Sequence, residues 1–267
     1  MRRLLVLTAL VILSSCSSSD DSNPPEDNNN SNFSIELAGN ASAIIDGTIA
    51  IDVTGNENIM TIQASLDDFQ TTLLDRTISP QGFGSATTLY FSFDDIGDKT
   101  IYIKGINSKG DEATQSFTTN ITRGGAVKIN SVKVISFSNM NGTWDSEFSS
   151  TDINRLADVL FNLRKPKVGI TENTFGFQNW FKSEVKENQG DLTWDVSSDE
   201  LYLDPQFSLQ FSMGDDDGGG VAQDIMLGPP FEREITFQEH IGSKPETITL
   251  KVDEIDLEVE FTLEWPN

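Results

Sequence analysis

Close to its end the chain alternates without a break. Leu257, Val259, Phe261, Leu263 and Trp265 are apolar, and Glu258, Glu260, Thr262 and Glu264 between them are polar. Successive side chains of a β-strand point to opposite faces, so this pattern builds one buried and one wetted face, which a helix would scatter around its axis. The acidic face reads as solvated, and if the strand is an edge its like charges discourage pairing with another sheet edge. The same period recurs from Phe33 onward in short runs rich in Thr, Ile, Val and Phe, separated by Gly, Asn and Asp. It predicts strands over 33–37, 48–53, 58–66, 87–93, 99–106 and 113–121, and again over 127–137, 158–163, 174–180, 192–196, 207–213, 233–238, 246–252 and 257–265. Many short strands with turn signals between them imply an all-β protein. The break Thr122-Arg123-Gly124-Gly125 divides it into two tandem β-sandwiches, 32–125 and 127–267. One short helix is expected at 151–159, with Asp152 near its start and Ile153, Leu156, Ala157 and Leu160 on one face.

The amino-terminal end is of another kind. Arg2 and Arg3 precede an apolar run over 4–13, too short for a mature membrane span, which needs about 20 apolar residues, but suited to a signal peptide. It ends in Leu13-Ser14-Ser15-Cys16, which carries the only cysteine of the chain. This resembles a bacterial lipoprotein box. The resemblance implies removal of residues 1–15 and a membrane-lipid anchor on acylated Cys16. Residues 16–31, Ser-, Asp-, Pro- and Asn-rich, can build no core and are expected to form a disordered tether. Acidic residues soon after the cysteine resemble the surface-export signal of Bacteroidota lipoproteins, which implies an outer-membrane, cell-surface location.

With 42 acidic and 18 basic residues the net charge is -24. Such a chain repels phosphate backbones, so nucleic acid is not an expected partner. One cysteine and one histidine exclude an intrachain disulfide and any site needing two imidazoles. No Gly-x-Ser-x-Gly turn, P-loop or dinucleotide fingerprint is present, and no enzyme is expected. A β-sandwich glycoside hydrolase stays open as an alternative, because it needs only two suitably spaced carboxylates.

The hairpin at 97–110, from Gly97-Asp98-Lys99 through Asn107-Ser108-Lys109-Gly110, resembles the closing hairpin of PKD-like and other immunoglobulin-like modules of bacterial surface proteins. The second half is the more acidic, with 26 acids against 11 bases over 127–267, a net -15. Two clusters stand between its strands. One is Asn141-Gly142-Thr143-Trp144-Asp145 with Asp152; the other is Gly214-Asp215-Asp216-Asp217-Gly218 with Asp224. Adjacent carboxylates repel when ionised, and calcium, which takes six to eight oxygens in flexible geometry, relieves them. Neither cluster has the spacing of an EF-hand. With Val134 to Phe137 before the first and Phe211 to Val221 around the second, they resemble C2-like domains of Bacteroidota lipoproteins. That resemblance implies a sandwich that binds calcium through loop aspartates. Carried onto this chain, the best ligands are Asp145, Asp152, Asp215 and Asp217, then Asp216 and Asp224. Trp144, in an acidic loop, and Trp180, in the aromatic run Phe175-Gly176-Phe177-Gln178-Asn179-Trp180-Phe181, are candidate ligand platforms, whereas Trp265 falls in the apolar phase of its strand. The expected role is a non-catalytic accessory or binding lipoprotein, with a glycan or an outer-membrane protein as partner; a carbohydrate-binding lipoprotein of a glycan-utilisation system is the alternative.

Overall fold

Alternation sorts each strand between oil and water. In β3 (Ile49–Gly55) the side chains of Ile49, Ile51 and Val53 are buried while Asp52 and Thr54 face solvent. The structure, a computed structural model, describes residues 32–166, 177–218 and 222–266. The predicted signal segment, tether and Cys16 lie outside the described residues, as do the first residues of the strand expected at 174–180.

The first eight strands make two facing sheets. One has the order β1-β3-β6, with β1 (Ile35–Gly39) and β6 (Ala86–Phe91) on either side of β3. The other runs β2-β8-β7-β4-β5, from β2 (Ser42–Ile44) through β8 (Glu112–Thr122), β7 (Gly97–Asn107) and β4 (Ile59–Ser65) to β5 (Leu74–Thr77). The chain leaves the first sheet after Gly39 and joins the second at Ser42, where β2 lies parallel to β8; the other ladders are antiparallel. Gly39 sits where the sheets approach, since a Cβ there would lie 3.1 Å from the Phe117 ring on β8. Phe33, Ile35, Ile59, Ile62, Phe91, Ile101 and Ile103 fill the space between.

The second sandwich faces β11-β10-β14 against β9-β18-β17. In the first of these, β10 (Val159–Pro166) lies between β11 (Phe177–Lys182) and β14 (Ser208–Asp215), and β15 (Gln223–Asp224) and β16 (Arg233–Thr236) both pair with β14. In the second, β9 (Val127–Ser136) pairs along one edge with β12 (Thr193–Asp195) and β13 (Leu201–Leu203), and along the other with β18 (Leu257–Glu264), which carries β17 (Thr247–Val252). Aromatic rings form the core. Phe161 stacks on Phe211 at 5.7 Å and meets Trp194 edge-on at 5.1 Å, and Phe211 meets Phe261 edge-on at 5.9 Å.

The molecule is thus all-β, and the predicted runs appear as strands with ends shifted by one or a few residues. β2, β5, β13 and β15 were not predicted. Each is short, and in β5 only Leu74 is buried, so no period could show. The helix expected at 151–159 is corrected to a single 3-10 turn, Ile153–Arg155. Ile153 points to water at 62 % exposure, while Leu156, Ala157 and Leu160 are buried. The turn cannot propagate because the Arg155 carbonyl accepts from Trp144 and Asp145, and Val159 N–H donates to the Lys186 carbonyl. Among the described residues every helical element is a three-residue 3-10 turn.

Where the sandwiches join, β8 passes to β9 through a turn in which Ala126 N–H donates to the Arg123 carbonyl. The Arg123 guanidinium pairs with Glu264 and lies over the Tyr202 ring at 5.3 Å. Tyr202, from β13, is itself part of the first core.

Candidate metal centre

Strand β14 aims one carboxylate inward. Leu209, Phe211, Met213 and Asp215 occupy alternate positions, and all four are buried, so Asp215 continues the core face of its strand to the end of the sandwich. The Asp215 residue is 0 % exposed. Its Oδ1 accepts from Asp158 N–H at 2.6 Å, and its Oδ2 is buried with no hydrogen-bond partner. A buried oxygen left this way costs roughly 1–3 kcal/mol or more, because a charged group loses its hydration without replacement.

Two further carboxylates converge on it. Single oxygens of Asp145, Asp215 and Asp217 lie within 4.8 Å of one another, and no other group of three His, Cys, Asp or Glu ligands is this close among the described residues. Asp217 is exposed and Asp145 half-buried. Burial pushes the Asp215 carboxyl up to about 6, with the neighbouring charges of Asp217, Asp158 and Asp216 adding to it against the pull of the Asp158 N–H. Burial likewise pushes Asp145 up to about 6, aided by a hydrogen bond with Asp217 and by the charges around it.

The loop that carries Asp145 is prebuilt. Asn139 and Asn141 take positive φ, at 60° and 66°. The loop closes tightly enough that a Cβ on Gly142 would fall 2.1 Å from the Asn139 amide oxygen. Trp144 sets its ring edge-on to Phe137 at 6.1 Å and donates its indole N–H to the Asn139 carbonyl. The Arg155 guanidinium then gathers the loop by donating to the carbonyls of Asn141, Gly142 and Ser150. Asp158 ties three segments together, since its backbone N–H holds Asp215, its carbonyl takes Asp216 N–H and its carboxylate takes Asn188 N–H at 2.7 Å. Beside the three aspartates opens a cleft of about 330 Å3, lined among others by Glu147, Phe148, Asn154, Asp158, Glu187 and Asp216.

The other sequence candidates are not among the three that converge. Asp152 caps the 3-10 turn by accepting from Asn154 N–H at 3.0 Å. Asp224 uses both oxygens to accept from Met226 and Gly228 N–H, shaping the turn after β15. Asp216 lines the cleft while accepting from Gly218 N–H. Trp144 and Trp180 are half-buried against the second core, and Trp180 lies with its ring 4.6 Å from the Lys165 ammonium. Arg155 and Asp158, which build the site, carried no sequence signal beyond standing near a strand start.

The three aspartates suit a hard cation. They supply carboxylate oxygens, one already stripped of other partners, and calcium tolerates the uneven geometry of two loops and a strand end.

No protein-family model and no curated protein matches the chain. Among solved structures it is similar over 33 % of its length to the PKD domain of an M14-like peptidase from a Thermoplasmatales archaeon, at 14 % identity, 94 % coverage of that chain and a TM-score of 0.28. It is similar over 33 % of its length to the sulfur carrier protein SoxY from Chlorobium limicola, at 10 % identity, 78 % coverage and a TM-score of 0.27. The same share is similar to a superoxide reductase, neelaredoxin, from Ignicoccus hospitalis, at 7 % identity, 80 % coverage and a TM-score of 0.27. Likenesses this slight carry no chemistry over to this chain.

Proposed function

We propose that this protein is a non-catalytic surface lipoprotein, anchored in the outer membrane through acylated Cys16, whose second sandwich is a calcium-stabilised binding module. The observation that carries the calcium reading is the Asp215 Oδ2 atom, fully buried, unpartnered and beside two other carboxylates. A divalent ion there removes the repulsion among the three and ties the Asp145 loop to the end of β14. The anchor reading is supported by Arg2, Arg3, the apolar run and Leu13-Ser14-Ser15-Cys16.

The test is a thermal melt of a Cys16→Ala chain in chelator, then with millimolar calcium or magnesium at physiological salt. Calcium at about a hundredfold excess over Kd adds about 2.7 kcal/mol to the folded state, which at about 2–4 °C per kcal/mol is a rise of several degrees. Magnesium, with its strict octahedral shell, is expected to do less. Asp215→Asn combined with Asp217→Asn is expected to abolish the calcium shift. Equal curves with both ions, flattened by added salt, would reduce the cluster to diffuse surface charge. The anchor has its own test: Cys16→Ala is expected to move the protein from the membrane to the soluble fraction, and unchanged membrane retention would refute lipidation.

A glycan ligand is the second reading, favoured by Phe148, which is 37 % exposed on the cleft next to the three aspartates, with Asn154 nearby. Calcium-dependent signals on a glycan array support it, and capture of an outer-membrane protein without glycan binding supports a docking role.

A further inference from the structure

The junction between the sandwiches holds a lysine and two carboxylates that the calcium reading does not use. Lys165, in β10, is 1 % exposed, and Asp46, between β2 and β3, is 4 % exposed. Lys165 Nζ lies 2.6 Å from Asp46 Oδ1 and 4.0 Å from Asp94 Oδ2. Asp46 Oδ2 accepts from Asp204 N–H at 3.0 Å. Asp46 N–H donates to the Phe93 carbonyl, which registers the Asp46 turn beside the Asp94 loop. The Trp180 ring covers the ammonium.

Burying two ions costs each its hydration, and their mutual attraction repays this only in part. Burial holds the Asp46 carboxyl above its ordinary range, against the pull of Lys165. Moving one proton along the 2.6 Å hydrogen bond turns the pair into a neutral amine and a neutral acid. The amine is then a nucleophile next to a carboxyl carbon. The Asp204 N–H stands at the oxygen on which negative charge develops during attack. The Asp94 carboxylate, 4.0 Å from the same nitrogen and partly open to solvent, is beyond direct hydrogen-bond reach and serves as the proton relay only by closing that gap or through one water.

We propose that Lys165 and Asp46 condense into an isopeptide bond that joins the two sandwiches covalently. The Nζ–Cγ bond forms and the Cγ–Oδ1 bond breaks. Nitrogen gives up one hydrogen, Oδ1 leaves as water, and Oδ2 remains as the amide oxygen on Asp204 N–H. No electrons are transferred and no co-reactant is needed. In water, hydration of the separated ions favours hydrolysis; here the reaction removes two buried charges. With one cysteine, the chain has no intrachain disulfide to make such a link.

The test is a proteolytic map of the full chain, folded and then denatured before digestion. The expected result is a branched peptide containing Asp46 and Lys165, lighter by one water than the two linear peptides together. Lys165→Arg keeps the charge but removes the amine, and is expected to give only linear peptides. Asp94→Asn is expected to slow formation of the branched peptide by at least about a hundredfold; an unchanged rate would overturn the role given to Asp94. Only linear peptides from wild-type protein shown by circular dichroism to be folded would overturn the proposal and leave an ion pair.

Discussion

Asp46→Ala is expected to lower the stability of the protein, beyond any loss of the cross-link, by about 3–5 kcal/mol, because it strands the Lys165 ammonium in the junction. At this chain size that is a fall of roughly 10 °C in melting temperature, measurable by calorimetry. Asp94, 4.0 Å away with a side chain 44 % exposed, is too distant and too wet to replace the lost partner. Adding Lys165→Met removes the stranded charge, and what the double variant regains is the cost of burying it. What it fails to regain measures the cross-link. A covalent bond between positions 119 residues apart restricts the unfolded chain by about 5 kcal/mol, whereas a plain ion pair leaves the double variant near wild type.

The second large effect is a pH dependence that calcium inverts. Asp215 is raised from 3.8 to about 6, so the metal-free folded state binds its proton more tightly than the unfolded chain does. That stabilisation is fully present below about pH 4 and is lost as pH rises through about 6, a change of on the order of 2 kcal/mol. Carboxylates held low act in the opposite sense. Asp67, drawn down to about 2 by its bonds with Ser65 and Thr71, loses its contribution only as pH falls toward that value. Comparing wild type with Asp215→Asn cancels this background. In chelator, Asp215→Asn is expected to be the more stable of the two near neutral pH and to converge with wild type in acid, since its amide fills the orphan position without a charge. With calcium the order reverses near neutral pH, and wild type loses the metal in acid as Asp145 and Asp215 protonate, at a pH that falls as the calcium concentration rises. Parallel pH curves for the two proteins in chelator would show that Asp215 is not buried as an acid.

Much of this was legible before any coordinates, and the limits have physical causes. Strands such as β18 and β3 announce themselves because one face is buried and one is wet. Asp215 was singled out by its acidic cluster and the C2-like resemblance; the strand predicted over 207–213 stopped short of it, although it is the next inward position after Leu209, Phe211 and Met213. Asp152 and Asp224 were not separable from it, because a carboxylate that caps backbone N–H groups and one that faces an ion are the same letter in a sequence. The helix at 151–159 failed because its apolar spacing was real but its backbone donors and acceptors were already taken by the Asp145 loop and by Lys186. The Lys165–Asp46 contact left no trace at all, since nothing local links residues that far apart.

The pairing of β2 with β8 has a mechanical consequence. Because these strands run parallel, a pull applied at Phe33 and resisted beyond Thr122 slides them past each other instead of peeling them apart. The bonds along that seam, from Asn120 N–H on Ala41 and Ile45 N–H on Thr122 to the Thr119 and Thr122 hydroxyls on Asn40 and Ala43, are then loaded together and must yield together. A short strand that adds little to the core thus makes the first sandwich a shear-resistant link for whatever force reaches the second.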